Sequence, residues 1–270
     1  MKAEEAKKLT DQALDRLASA LSQGKSDSLT QYLSAMSRFH EYSWGNIMLI
    51  LSQKPDATHV AGFNTWKKFN RFVMKGEKGI VVIAPMLIKP KEAVQKGDAS
   101  EAESILRFKA VYVFDVSQTG GEPLPEFARV AGNPNGHTGR LKDLVAEKHI
   151  ELLYSADIGS AHGRSHGGKI TLRPDLSPAE EFSTLVHELA HEMLHRGDRR
   201  KETSKTVRET EAEAVAFVVC QAIGLDTNGA AADYIQLYNG DKQTLALSLG
   251  YIQQTAAEIL AAIVHESSND

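Results

Sequence analysis

The sequence predicts an α+β protein in two domains. Residues 1–130 read as an α+β domain, and residues 131–270 as a mostly helical domain with a small sheet. Three observations lead there. At 270 residues the chain is long for one core and comfortable for two. Two β-rich runs sit inside the first half, after a series of helical segments. From residue 178 the pattern is helical to the end, apart from short connections.

In chain order, "AEEAKKLTDQALDRLASALSQG" opens as a helix, with Leu9, Ala13, Leu14, Leu17 and Leu21 at helical intervals. "SLTQYLSAMSRF" and "SWGNIMLILSQ" also read as helices, and "GFNTWKKFN" as a short one. "GIVVIAPMLI" and "FKAVYVFDV" are strands by their Val, Ile and aromatic content. The polar stretch between them, "KPKEAVQKGDASEAES", reads as a hairpin loop. The Gly, Pro and Asn clusters of "GGEPLPEFARVAGNPNGHTG" place the domain boundary near residue 130. A helix ("RLKDLVAEKHI"), a strand ("IELLYSA"), a Gly/His-rich turn ("GSAHGRSHGG") and a second strand ("KITLRP") follow. There is no internal repeat.

The composition excludes several classes. A net charge of −4 gives no global attraction to nucleic acid, so any such surface is a local patch. With one cysteine, Cys220, neither a disulfide framework nor a thiolate zinc site can form, and a lone thiol suits a reducing compartment. The opening "MKAEEAKKLTDQ" has no apolar h-region, and runs such as "GIVVIAPMLI" are too short to span a bilayer. The expectation is a cytoplasmic protein with no membrane partner.

Chemistry concentrates in "STLVHELAHEMLH", residues 183–195. Ser177, Pro178 and Glu180 form a capping-box signature with Pro at the first helical position. On the helix that follows, His187 and His191 share a face and can aim at one ion, zinc being the expected one. Glu188 projects about 100° away, where it can reach a metal-bound water as general base without binding the metal. The third ligand is expected in "RETEAEAVAFVVC". There Glu209, Ala212, Glu213, Ala216 and Val219 share a face, and a carboxylate on such a face needs a partner. Glu209 is assigned as ligand and Glu213, one turn on, as acceptor for a histidine N–H. Glu211 faces away in this reading and is the competing choice. His195, a turn past His191, is assigned to the helix C-terminus, capping it or supporting a ligand. His162 and His166 read as loop histidines, one of which could line the cleft; the sequence identifies no oxyanion donor, a role Tyr234 or His166 could serve.

"HELAH", the downstream "ExExE" helix and the preceding "KITL" together resemble the zincin-like metallopeptidase domain of ArdC-like antirestriction proteins. They resemble, more distantly, the ImmA/IrrE peptidases. The likeness runs over roughly residues 135–265 and is specific for the metal site. It implies a gluzincin with an edge strand for an extended substrate, and "GGKITLRP" would be that edge. The first half resembles the single-stranded-DNA-binding domain of the same family through "YSWGN", "VAGFNTW" and "MKGEKG". Met74 stands there in place of the first of two lysines, which removes one basic contact.

The residues themselves agree with a nucleic-acid surface. Between 61 and 90 there are six basic residues and one acid, Glu77, a local charge of +5 in an acidic chain. Lys and Arg neutralise phosphates, and exposed rings stack bases without regard to sequence. The expected contacts are Lys67, Lys68, Arg71, Lys75 and Lys78 from this segment, with Trp66 among them. Arg38, Tyr42, Trp44 and Asn46 are expected to join from upstream. Phe63, Phe69 and Phe72 are expected in the core. The combined expectation is a single-stranded-DNA-binding, antirestriction-like protein whose second domain hydrolyses a protein or peptide substrate with zinc-activated water. Two alternatives stand beside it: a non-catalytic DNA-binding protein with a structural metal, and an ImmA-like peptidase acting on one repressor.

Overall fold

The structure, a computed structural model, describes residues 3–23, 27–88, 105–122, 133, 134, 136–159, 161–225 and 241–264. The loop expected between the two long strands, the stretch around residue 130 and Tyr234 lie outside the described residues. Two compact units emerge: residues 1–13 with 45–124, and residues 14–44 with 125–270. The helix α1 (Ala3–Ser22) is therefore divided between the two units, and α2 (Asp27–Arg38) belongs to the second.

In the first unit, α3 (Trp44–Gln53) precedes β1 (Val60–Gly62), α4 (Phe63–Lys68) and β2 (Arg71–Val73). Then come β3 (Ile80–Ile88), β4 (Ile105–Asp115) and β5 (Thr119–Gly121). The sheet order is β1-β4-β3, all antiparallel, with Ile80 opposite Val113 and Ile88 opposite Ile105. β2 pairs with β5 as a separate ribbon. Ala6, Leu49 and Val81 form a buried cluster beneath α3.

The outer edge of β3 is closed by side chains rather than by a strand. The Asn46 amide donates to the Ile83 carbonyl at 2.9 Å and accepts from its N–H at 2.8 Å. Two helical turns on, the Gln53 amide does the same at Val81, at 2.9 and 3.0 Å. An unpaired edge is a template for unwanted pairing, and these amides satisfy it. Asn46 is thus a sheet-edge residue, which corrects its expected DNA contact: both of its polar atoms are occupied.

Asp115, at the end of β4, organises the connection to β5. Its buried carboxylate accepts from the N–H groups of Thr58 (2.7 Å), His59 (3.0 Å) and Ser117 (3.0 Å), and from the Ser117 hydroxyl (2.7 Å). Removing it takes the shared acceptor from all of these donors.

The second unit holds α5 (His137–Glu147), β6 (Glu151–Tyr154), β7 (Gly163–Ser165) and β8 (Lys169–Leu172). The helices α6 (Pro178–Leu194), α7 (Gly197–Glu202), α8 (Lys205–Ala222) and α9 (Lys242–Val264) complete it. Ser177 and Glu180 make the reciprocal capping box, with the Ser177 N–H donating to Glu180 Oε2 at 2.9 Å, so α6 begins where its signature lies. Ser204 caps α8 through the Val207 N–H. Phe182, Leu185, Val186 and Leu189 of α6 are buried, as are Ala212, Val215, Ala216 and Val219 of α8, and the two helices pack together. α2 and α9 also pack on α8. Among the described residues α9 alone is long and apolar enough to cross a membrane. Here it is a core helix, with Leu245, Leu249, Ile252, Ala256 and Ile259 buried.

The small sheet runs β6-β8-β7, with β6 parallel and β7 antiparallel to β8. This corrects the expected edge. "KITL" is the central strand, with Ile170, Thr171 and Leu172 buried, as its apolar run suits. The edge strand beside α6 is β7, inside the segment read as a Gly/His-rich turn.

Asp115→Ala is expected to lower unfolding free energy by about 3 kcal/mol, the cost of stranding several donors of a buried carboxylate. Urea denaturation measures it, and a loss under about 1 kcal/mol would remove Asp115 as an organising contact.

Candidate metal centre

α6 and α8 bring three ligand atoms together. His187, His191 and Glu209 each offer one, all within 4.8 Å of one another. The Nε2 atoms of His187 and His191 are 3.1 Å apart, one helical turn separating their Cα atoms. Glu209 Oε2 lies 3.7 Å from His187 Nε2 and 3.4 Å from His191 Nε2. For a tetrahedral ion with bonds near 2.0–2.1 Å, ligand atoms stand about 3.3 Å apart. The three distances bracket that value, so the donor set fits an ion of zinc size without rearrangement.

Each histidine is also held from behind. His187 Nδ1 meets Glu213 Oε2 at 3.1 Å, and His191 Nδ1 meets His195 Nδ1 at 2.9 Å. His195 Nε2 in turn meets Glu211 Oε2 at 2.9 Å, both side chains fully buried. Glu211 faces away from the paired Nε2 atoms, but into the core rather than toward solvent. It accepts from Arg199 Nη2 at 2.7 and 2.8 Å and from the Ser248 hydroxyl at 2.5 Å. Burial alone would raise the Glu211 pKa, but His195, Ser248 and Arg199 hold it below the usual value.

Glu188 lines a cavity of about 230 Å³ with His162, Gly163, Ser183, Thr184, His187 and Glu213. Burial raises its carboxyl pKa, against the pull of His187 and His191. A carboxylate so placed is suited to taking and returning a proton. The backbone of β7 passes directly over it. A Cβ on Gly163 would lie 2.6 Å from Thr184 Cγ2 and 2.9 Å from Glu188 Cγ, so only glycine fits. Of the two loop histidines His162 reaches the cavity, whereas His166 closes the β7–β8 turn through its N–H to Lys169 O.

Glu192 was not anticipated from the sequence. It is buried, and its two oxygens accept from the N–H groups of Gly167 (2.7 Å) and Gly168 (2.6 Å), while Arg196 Nε donates to it at 2.8 Å. Both glycines have positive φ, +64° and +105°. The clamp fixes β7 against α6. Its signal is a glutamate one turn beyond Glu188, on the same helix face, with a Gly-Gly pair just upstream.

Several expected DNA contacts take other roles. Trp66 is 2% exposed, and its Nε1–H donates to Phe114 O at 2.9 Å, so it is a core residue and offers no face to a base. The Arg71 guanidinium is bound to Thr119 Oγ1 (2.9 Å), Thr119 O (3.0 Å) and Glu122 O, which ties β2 to β5 rather than leaving a free cation. Tyr42 and Trp44 are half-buried and fall in the second unit. Arg38 is exposed, over the Phe39 ring. Lys67, Lys68, Lys75 and Lys78 are exposed. The rings expected in the core are outside instead: Phe63 is 47%, Phe69 48% and Phe72 60% exposed. Lys67 Nζ sits 5.0 Å from the centre of the Phe63 ring.

Residues 3–114 match the family model of the N-terminal domain of anti-restriction factor ArdC. Residues 146–223 match that of the IrrE N-terminal-like domain, Peptidase M78. The chain is 24% identical, over 96% of its length, to an uncharacterized protein of Bacillus anthracis, pXO2-81, and spans about half, 52%, of that protein. The fold is that of the antirestriction protein ArdC of plasmid R388. Its metal-free crystal structure aligns with a TM-score of 0.56 at 19% identity, over 94% of this chain and 96% of that one. Its Mn(II)-bound structure aligns with a TM-score of 0.56 at 16% identity, over 96% and 99%.

In the metal-free protein burial lowers the His187 pKa, but the carboxylates of Glu209, Glu213 and Glu188 outweigh it and raise it to about 9. An ion needs the bare imidazole, so binding displaces that proton. Metal affinity is therefore expected to strengthen about tenfold per pH unit from pH 6 to 8 and to level off above about 9, as isothermal titration calorimetry in buffers of different ionisation enthalpy would read. A flat profile over pH 6–8 would contradict the role of His187.

Proposed function

We propose that this chain, which joins an ArdC-type N-terminal domain to an IrrE-like domain, binds single-stranded DNA through its first unit and is a metal-dependent peptidase in its second. The observation that carries the second part is the convergence of His187, His191 and Glu209 beside a buried glutamate in a cavity. Zinc is the ion proposed, because two imidazoles and one carboxylate suit it. The related R388 protein was crystallised with Mn(II), and such a donor set takes either ion.

A divalent ion held there supplies Lewis acidity toward a water and a substrate carbonyl. The chain's own groups do the rest. Glu188 is placed to accept a proton from the attacking water and pass it to the departing amine. Glu213 holds the His187 ring. β7, the edge beside Glu188, is where an extended peptide would pair, with its backbone aligned over the cavity. Gly163 leaves that strand close enough to Glu188 to bring a bound carbonyl near it.

The first part rests on the exposed rings. Phe63, Phe69 and Phe72 stand in solvent among Lys67, Lys68, Lys75 and Lys78. Exposed aromatics are costly unless they meet a partner, and single-stranded DNA offers base faces to rings and phosphates to lysines. An antirestriction role follows from this pairing with the ArdC-type domain.

The purified protein is expected to hold about one zinc per chain by mass spectrometry. His187→Ala and Glu209→Ala should lose it, whereas Glu188→Gln should keep it and lose peptide hydrolysis. Stoichiometric metal in the His187→Ala protein would sink the ligand assignment. For DNA, fluorescence anisotropy with a labelled oligonucleotide should show affinity falling as salt rises. Phe72→Ala should weaken binding by about 1–3 kcal/mol without unfolding the protein. Trp66→Ala should instead cost about 3–5 kcal/mol of stability. Unchanged affinity in the Phe63, Phe69 and Phe72 triple alanine variant would refute the stacking face.

A further inference from the structure

We infer that His195, anchored by Glu211, is a positioning residue that fixes the tautomer of His191 and turns its bare Nε2 toward the ion. The inference rests on the reading of His191 as a ligand.

The argument follows the hydrogens. Glu211 is a carboxylate with no proton to give: Arg199 donates to both oxygens and Ser248 to one. The His195 Nε2 contact at 2.9 Å must therefore be a donation from histidine to carboxylate. The Glu211 charge is already matched by Arg199, whose guanidinium lies 3.7 Å from the centre of the Tyr251 ring. A second cation at His195, whose side chain is wholly buried, would have no counter-charge. His195 is thus neutral, and with its proton on Nε2 its Nδ1 is an acceptor. Among the described residues, the group it faces at hydrogen-bond distance there is His191 Nδ1, at 2.9 Å. His191 must donate from Nδ1, so a neutral His191 ring keeps Nε2 as its lone-pair nitrogen, turned toward His187 Nε2 at 3.1 Å and Glu209 Oε2 at 3.4 Å. The relay fixes which nitrogen of His191 holds its proton, and the other nitrogen is the one a metal would need.

The two ligand histidines are then served by different devices. His187 is held by a half-exposed carboxylate, Glu213. His191 is held by a fully buried relay that crosses from α6 to α8 and ends on α9 at Ser248. Outer partners of ligand histidines commonly change metal affinity by about 10–100-fold when removed.

The test uses the full-length chain labelled with 15N-histidine. In the metal-free wild type, long-range 1H–15N correlation spectra should place the His191 proton on Nδ1 and the His195 proton on Nε2. A proton on His191 Nε2 would overturn the inference outright. Zn(II), titrated against a competing chelator, is the second probe. His195→Leu should weaken binding about 10–100-fold. His195→Gln should restore it to within about threefold, because its amide both accepts and donates. Circular dichroism confirms that each variant is folded. A folded His195→Leu protein that binds Zn(II) as tightly as wild type would also overturn the inference. Should His195→Leu fail to fold, the wild-type spectrum and the glutamine variant decide. Absence of Zn(II) binding by the wild type would instead sink the ligand reading, and the spectrum would still judge the relay.

Discussion

On the proposed reading, the second unit is built around one demand: two imidazoles on successive turns of a helix must show unprotonated Nε2 atoms to a single point. Neutral histidine rings are symmetric enough to turn either nitrogen to a neighbour, so the demand is met by partners on the far side. Glu213 supplies one and His195 the other, and both depend on α8 lying against α6. The small residues Ala212 and Ala216, buried on α8, keep that packing compact. The capping box sets where α6 begins, and hence which turn meets α8. Glu209, half-exposed, completes the arrangement from the first half of α8. His187 and His191 together hold its carboxyl well below the usual range.

How much of this was legible from residues alone depended on how local the signal was. α6 announces itself by Ser177, Pro178 and Glu180, and its histidine spacing requires no knowledge of the fold. Glu209 and Glu213 were legible because a carboxylate on an otherwise apolar face is conspicuous. Glu211 was not, because on paper it faces away. Its burial depends on Arg199 and Ser248, from two other helices, and no periodicity within α8 announces them. β7 escaped for a similar reason. Gly163, Arg164 and Ser165 carry little strand propensity, and pairing with β8 and the Glu192 clamp make them a strand.

The aromatic residues of the first unit invert the usual expectation. A six-residue helix is too short for its periodicity to say which ring points in, and α4 turns Trp66 inward, where its N–H finds the Phe114 carbonyl. That choice leaves the three phenylalanines around it outside. Asn46 and Arg71 look like surface polar groups in sequence, yet each satisfies strand backbone, Asn46 at β3 and Arg71 at β5. The lesson is specific. Polar side chains beside short, open sheets are drawn to unpaired backbone, and that competes with any role in binding.

The close approach at Gly163 has a mechanical side. With no space for a single methyl between β7 and Glu188, the strand and the carboxylate stand in van der Waals register. Glu192 ties the far end of the same strand to the same helix, one turn away. Strand, carboxylate and helix are therefore held in one register, and on the proposed reading a peptide laid along β7 is gauged from the atom that would take the water's proton.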